Sequence, residues 1–196
     1  MPTTSEPMNT QSHVIINAAL LNRKDKPHLQ RYLLLGALIP DLPMFVFFVV
    51  EAFMFGHPQQ QIWSERYFLP QWQNFIDIFN AVPLILIVLG IGYRLKSETL
   101  IFCCLSMLLH CAADFFLHHD DAHRHFFPLL QFRFSSPISY WDTARYGRVV
   151  SLVEIVITIL ASIYLFPRLR SRITRGVLIA VNSLSVLLYI VFAVVY

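Results

Sequence analysis

The sequence predicts an all-α integral membrane protein with about five transmembrane helices, a short N-terminal helix and a long loop rich in aromatic residues and histidine. Three observations lead there. Of 196 residues, 56% are hydrophobic and 14% are charged, whereas a soluble domain carries about 25% charged residues. The apolar residues gather into segments long enough to cross a bilayer. Lys and Arg sit at the ends of those segments, as membrane anchors do, and the net charge of +3 is too small for a nucleic-acid face.

Residues 1–11 are polar and read as a disordered lead, with no basic-then-apolar pattern of a cleaved signal peptide. "SHVIINAALLN" (Ser12–Asn22) has Ser as an N-cap and one apolar face, which predicts a helix too short to span. A basic loop, Arg23–Arg31, follows. The first span is 32–55, interrupted by Pro40-Asp41-Leu42-Pro43, and residues 57–74 read as an aromatic interfacial loop. The second span, 75–95, carries Asp77, Asn80 and Pro83 near its start. The third is 100–117, and residues 118–148 form the long loop. Spans four and five are 149–166 and 177–196. Residues 12–196 then make a single helical membrane domain, because irregular backbone cannot face lipid. Cys103, Cys104 and Cys111 lie in or beside one apolar helix and suit reduced packing residues. With the N-terminus cytoplasmic, ten Lys and Arg fall on the inner side and five on the outer, which favours that orientation. The expected location is a bacterial inner membrane, and the bilayer is the expected partner.

The stretch "HCAADFFLHHDDAHRH" (His110–His125) holds five of the eight histidines. An Asp at a helix centre costs about 2.5–3.5 kcal/mol to insert even on the lenient scale. Asp41, Asp77, His110, Asp114 and Glu154 should therefore pair, bind a cation or line a watery cavity. His110 and Asp114 are four apart and share a helix face; His118 joins that face if the helix continues one turn. His119 and His123 are also four apart and could chelate together. Imidazole and carboxylate suit zinc, manganese or iron, with one position left for water. A lone His-x-x-x-Asp pair is more often structural glue, but the whole cluster favours a metal site. His13 alone reads as a packing or cap residue, and Asp41 as either a ligand or the N-cap of a half-helix. His57, Asp77 and Glu154 read as structural.

Three stretches in order resemble the YdjM-like family of membrane-bound metal-dependent hydrolases. "SHVIINAALL" is similar to its opening Gly/Ser-His-Leu helix, and "LGALIPDLPMF" to its Leu-Leu-Pro-Asp-Ile-Asp segment. "HCAADFF…HFFPLLQFRFSSPI" is similar to its His-x-x-x-Asp helix and following turn, with Pro128, Arg133 and Phe134 at the turn positions. The likeness covers about 130 residues, His13 to Ile138. It implies that His13, Asp41, His110 and Asp114 hold a divalent metal, with zinc the first choice. Leu42 and Pro43 stand where the family continues Ile-Asp, and its His-Arg-Gly-x-Thr-His-Ser motif is absent. A looser likeness reaches the helical zinc phospholipase C and nuclease ligand order, in which His119 and His123 would serve a second ion. The implied activity is hydrolysis of a phosphoester or lipid-like substrate approaching from the bilayer. Asp120 or Asp121 would act as general base, and Arg124 or Arg133 would steady an anionic substrate. The alternatives are a non-enzymatic membrane protein with a structural His/Asp cluster, or a metal or proton transporter.

Overall fold

The computed structural model describes residues 10–195, and the helices occur in the order the hydropathy pattern implies. They are α1 (Thr10–Leu21), α2 (Gln30–Leu38), α3 (Leu42–Val49), α4 (Gln59–Ser64), α5 (Pro70–Phe79), α6 (Val82–Arg94), α7 (Glu98–Leu117), α8 (Gly147–Leu165) and α9 (Arg172–Val195). No strand occurs among the described residues. Four helical segments are long and apolar enough to cross a membrane: Pro70–Arg94, Glu98–Leu117, Gly147–Arg168 and Arg172–Val191. A fifth is counted if Pro27–Leu38 and Leu42–Met54, bent by 53° at their junction, make one span.

Local chemistry sets the breaks. Pro40 and Pro43 flank Asp41, so the first span parts into α2 and α3 there. Asp41 occupies the N-cap position of α3, yet its side chain makes no cap hydrogen bond. Asn80 interrupts the second span between α5 and α6, and its amide donates to the Pro40 and Ile76 carbonyls. The N-terminal helix already includes Thr10, two residues before the expected Ser12 cap, and Ser12 is buried inside it. The rest of the expected disordered lead, residues 1–9, lies outside the described residues. The expected interfacial loop at 57–74 is largely ordered. Glu51, fully buried, accepts from Arg66 Nε at 2.9 Å and from Trp72 Nε1 at 2.5 Å. Trp72 also packs on a buried cluster of Phe47, Ile62, Tyr67 and Ile76.

Helix α7 is the hub, packed chiefly against α2 and α6. Ser97 caps its start by accepting from the Leu100 amide, and Glu98 in the first turn suits the helix dipole. Its last carbonyls are satisfied by the returning loop: the Ser136 hydroxyl donates to Phe116 O at 2.6 Å and the Tyr140 amide to Leu117 O at 3.2 Å. Helices α2 and α7 touch at Gly36, where a Cβ would lie 2.2 Å from the Cys103 carbonyl oxygen. Helix α1 threads between α2 and α8 and runs antiparallel to α7. Asn17 donates to Ser106 O at 2.8 Å, and Lys26 pairs with Glu98 at the start of α7. Ile15 packs on Leu165 and Leu178. All three cysteines are free thiols. Along α8 and α9, Val, Ile and Leu side chains face outward, as with Ile163 and Ile179.

Candidate metal centre

Two helices bring polar side chains to one point inside this apolar bundle, and a third segment places Asp41 beside one of them, outside that cluster. Helix α1 supplies His13, α7 supplies His110 and Asp114, and the α2–α3 break supplies Asp41. His13, His110 and Asp114 are all about 2% exposed or less. His13 Nε2 lies 3.1 Å from Asp114 Oδ1, and His110 Nε2 lies 3.0 Å from Asp114 Oδ2 and 3.3 Å from Asp41 Oδ1. The two imidazoles stack with centroids 3.7 Å apart. Thr10 Oγ1 donates to the other Asp41 oxygen at 2.6 Å.

The first test of a metal is how these groups engage one another: they meet at ion-pair distances of 3.0–3.3 Å, yet the contacts lack hydrogen-bond alignment. His13 Nε2, His110 Nε2 and Asp114 Oδ1 are buried without a hydrogen bond. Such groups are rare in proteins and call for a partner. Atoms that share a tetrahedral ion at roughly 2.0–2.2 Å lie roughly 3.3–3.6 Å apart; the His–carboxylate contacts here are 3.0–3.3 Å, at or just under that range, and the ligand atoms of His13, His110 and Asp114 all lie within 4.8 Å of one another. The second nitrogen of His110 is also fixed: Nδ1 sits 2.8 Å from the Ala37 carbonyl. A metal-binding histidine usually donates its other N–H in this way, which aims the free nitrogen at the ion. The residues fit a divalent cation.

The histidine-rich segment departs from its sequence reading. Helix α7 ends at Leu117, so His119 and His123 never share a helical face. His119 turns out: its Nδ1 contacts the Ser136 carbonyl at 2.5 Å and its Nε2 faces Asp120 at 3.3 Å. It takes no part in either cluster of potential ligands. His118 instead bends back although the helix does not continue, with Nε2 3.6 Å from Asp114 Oδ1. His123 lies beside it, so Asp114, His118 and His123 form a second cluster.

The residues expected to do chemistry are placed differently from one another. Asp120 is two-thirds exposed at the rim. Asp121 Oδ2 lies 2.7 Å from His118 Nδ1, which makes it an orienting group for that imidazole. Burial alone would push the His118 pKa down, but Asp121 and Asp114 hold it well above the usual histidine value. Burial likewise opposes the Asp121 charge, and the His118 cation overrides it and lowers the carboxyl's pKa. Arg124 and Arg133 are committed to Asp77: Arg124 donates through its amide and its Nε, and Arg133 through a terminal nitrogen at 3.3 Å. Both therefore anchor the loop to α5, and only Arg133 keeps a third of its side chain exposed.

Sequence reasoning gave Thr10 and the Ala37 carbonyl no part. Gly36 was the available signal for the second, because a glycine inside an apolar helix marks a close backbone approach. Comparison with known families, with curated proteins and with solved structures found no match for this chain.

Proposed function

We propose that this chain is an integral membrane protein of five spans and a metal-dependent hydrolase of phosphoester or lipid-like substrates, as its likeness to the YdjM-like family implies. One observation carries the reading: two imidazole nitrogens and a carboxylate oxygen from α1 and α7 converge, buried and without hydrogen bonds. His13, His110 and Asp114 would hold the ion, with Asp41 as a fourth donor. A bound divalent cation supplies a Lewis acid for a phosphoryl or carbonyl oxygen and lowers the pKa of water. The chain's own residues do the rest. Ala37 O fixes the His110 ring, Thr10 fixes Asp41, and the bundle keeps bulk water from His13, His110 and Asp114.

A groove of about 540 Å³ between α1, α2 and α9 supports the lipid-like class. Val14, Ala18, Leu34, Leu38 and Val177 line it, and so does Thr10, the residue bonded to Asp41. An acyl chain lying there would bring its head toward the metal site. The basic segments Arg23–Lys26, Arg94–Lys96 and Arg168–Arg175 share one end of the bundle, which the positive-inside rule assigns to the cytoplasm. The His-rich loop then faces the opposite side, and so does Thr10, ~18 Å away along α1.

Metal analysis of detergent-purified protein tests the site. Zinc or manganese should copurify and be lost from a His110→Ala, Asp114→Ala double variant. A folded wild type that binds no divalent ion overturns the proposal. Metal-dependent release of phosphate from vesicles of phosphatidic acid then tests the reaction. Protein that holds its metal but releases nothing from any phosphoester or ester lipid would reduce the site to a structural one.

A further inference from the structure

The proposed function needs one ion, but a second set of donors lies against the first. We infer that the centre is dinuclear, with the Asp114 carboxylate bridging an ion held by His13 and His110 to a second held by His118 and His123. The inference rests on the metal reading of the first site and extends it. Asp114 Oδ1 faces His13 Nε2 at 3.1 Å on one side and His118 Nε2 at 3.6 Å on the other, while Oδ2 faces His110. Asp114, His118 and His123 are all buried and offer ligand atoms within 4.8 Å of one another.

Two further observations point to a ligand at this second position. His118 has one nitrogen bound to a carboxylate, Asp121, and turns the other toward Asp114. That carboxylate–histidine pairing is the usual support for a metal ligand. His123 is 5% exposed and its Nδ1 has no hydrogen bond. The nearest carboxylate, Asp77 Oδ1 at 3.6 Å, is already engaged by Arg124. His123 therefore lies buried with Nδ1 toward Asp77 at more than hydrogen-bond length, while its ring offers one nitrogen to the cluster with Asp114 and His118. Two imidazoles and a shared carboxylate per ion leave open positions, and that donor set suits zinc, manganese or iron. Paired ions about 3.5–4 Å apart clamp the attacking and leaving oxygens of an in-line displacement. Of the proposed substrates, a phosphoester is the one this arrangement fits.

Full-length protein in detergent, stripped with chelator and titrated with Mn²⁺, distinguishes the cases. Two ions per chain are expected, with the electron paramagnetic resonance signal of a spin-coupled pair. His123→Ala should hold one ion and give an uncoupled six-line signal, and so should His13→Ala; Asp114→Ala should hold none. One ion per chain, lost in His110→Ala and kept in His123→Ala, overturns the dinuclear centre and leaves the proposed function standing. No ion at all removes both. If the variants fail to fold, the wild-type stoichiometry and coupling decide: two uncoupled ions would also overturn the bridge.

Discussion

Asp77 and Asp114 are both buried carboxylates on apolar helices, and their neighbours differ in kind. Asp77 is met by the guanidinium groups of Arg124 and Arg133 and by a backbone amide, with a single imidazole, His123, at 3.6 Å. Asp114 is met by three imidazoles, those of His13, His110 and His118, and by no arginine or lysine. Arginine is always charged and fills a carboxylate's acceptor sites with fixed donors. The Asp77 cluster is therefore complete within the chain. Imidazole can be neutral and present a lone pair, so the Asp114 cluster is a donor set that suits a cation. The same bundle thus contains a closed ionic knot that holds the loop and an open one suited to an ion.

The largest expected effects separate these two knots. Asp77→Ala strands two buried or half-buried guanidinium groups, and breaking a buried pair costs about 3–5 kcal/mol. Its melting temperature should fall with or without chelator. Asp114→Ala should behave in the opposite way. Wild-type protein at a hundredfold excess of metal over Kd gains about 2.7 kcal/mol, or roughly 5–10 °C at this chain length. The variant should show no such gain and no response to chelator in the same thermal assay. A chelator response that survives in Asp114→Ala and vanishes in Asp77→Ala would exchange the two assignments.

A smaller effect tests how α2 supports the open cluster. At Gly36 an added Cβ meets the Cys103 carbonyl and Ser106 Cβ at 2.2 and 2.8 Å, both on α7. Gly36→Ala must push the helices apart, at about 1–3 kcal/mol for overpacking. The Ala37 carbonyl then withdraws from His110 Nδ1. Metal affinity should fall roughly 10–100-fold, as it does when an orienting partner is lost. Isothermal titration with Zn²⁺ measures this, and an unchanged affinity in a destabilised protein would show that His110 needs no such support. Gly90, whose Cβ direction is open, is the control position.

Much of this was legible in the sequence because it follows from local periodicity. The long apolar helices, the break at Asp41 and the shared face of His110 and Asp114 all come from spacing along one helix or from proline. What was not legible depends on where a helix stops and what returns to it. The pairing of His119 with His123 assumed that the helix continues, but loop residues 136–140 take the last α7 carbonyls and end it at Leu117. Arg124 and Arg133 looked like anion binders because Asp77, some fifty residues earlier, is brought to them only by the fold. His13 was placed by resemblance, since a lone histidine on a short helix carries no periodic signal. The bare topology left α1 outside the bundle, and its burial came from Asn17, His13 and Ile15 packing on α7 and α8.

The two carboxylates next to histidines in the loop offer a sharper comparison of smaller size. Asp121 is bonded to His118, whose other nitrogen faces Asp114; Asp120 is exposed beside His119, which faces the loop backbone. Asp121→Asn keeps a hydrogen-bond acceptor but loses the charge that polarises His118. It should weaken metal binding about tenfold, while Asp120→Asn should leave it unchanged. Titration of both variants with Zn²⁺ gives the answer. Equal losses would mean that the loop's net charge, not the His118 orientation, governs affinity.

The smallest effect concerns Asp41, whose two oxygens face different ways. One is 3.3 Å from His110 Nε2 and the other accepts from Thr10 Oγ1. The side chain is one-fifth exposed, so water can replace a lost hydroxyl at little cost. A net hydrogen bond to a charged group is worth about 1.5–3 kcal/mol when nothing replaces it, and solvent access reduces that. Thr10→Val preserves the shape and removes the donor, freeing Asp41 to turn from the ion. Metal affinity should fall by less than tenfold, and Thr10→Ser should restore it. A loss as large as that of Asp114→Ala would make the Thr10 hydroxyl a ligand in its own right. No loss in Thr10→Val together with none in Asp41→Asn would remove Asp41 from the donor set and leave His13, His110 and Asp114 as the first ion's protein ligands.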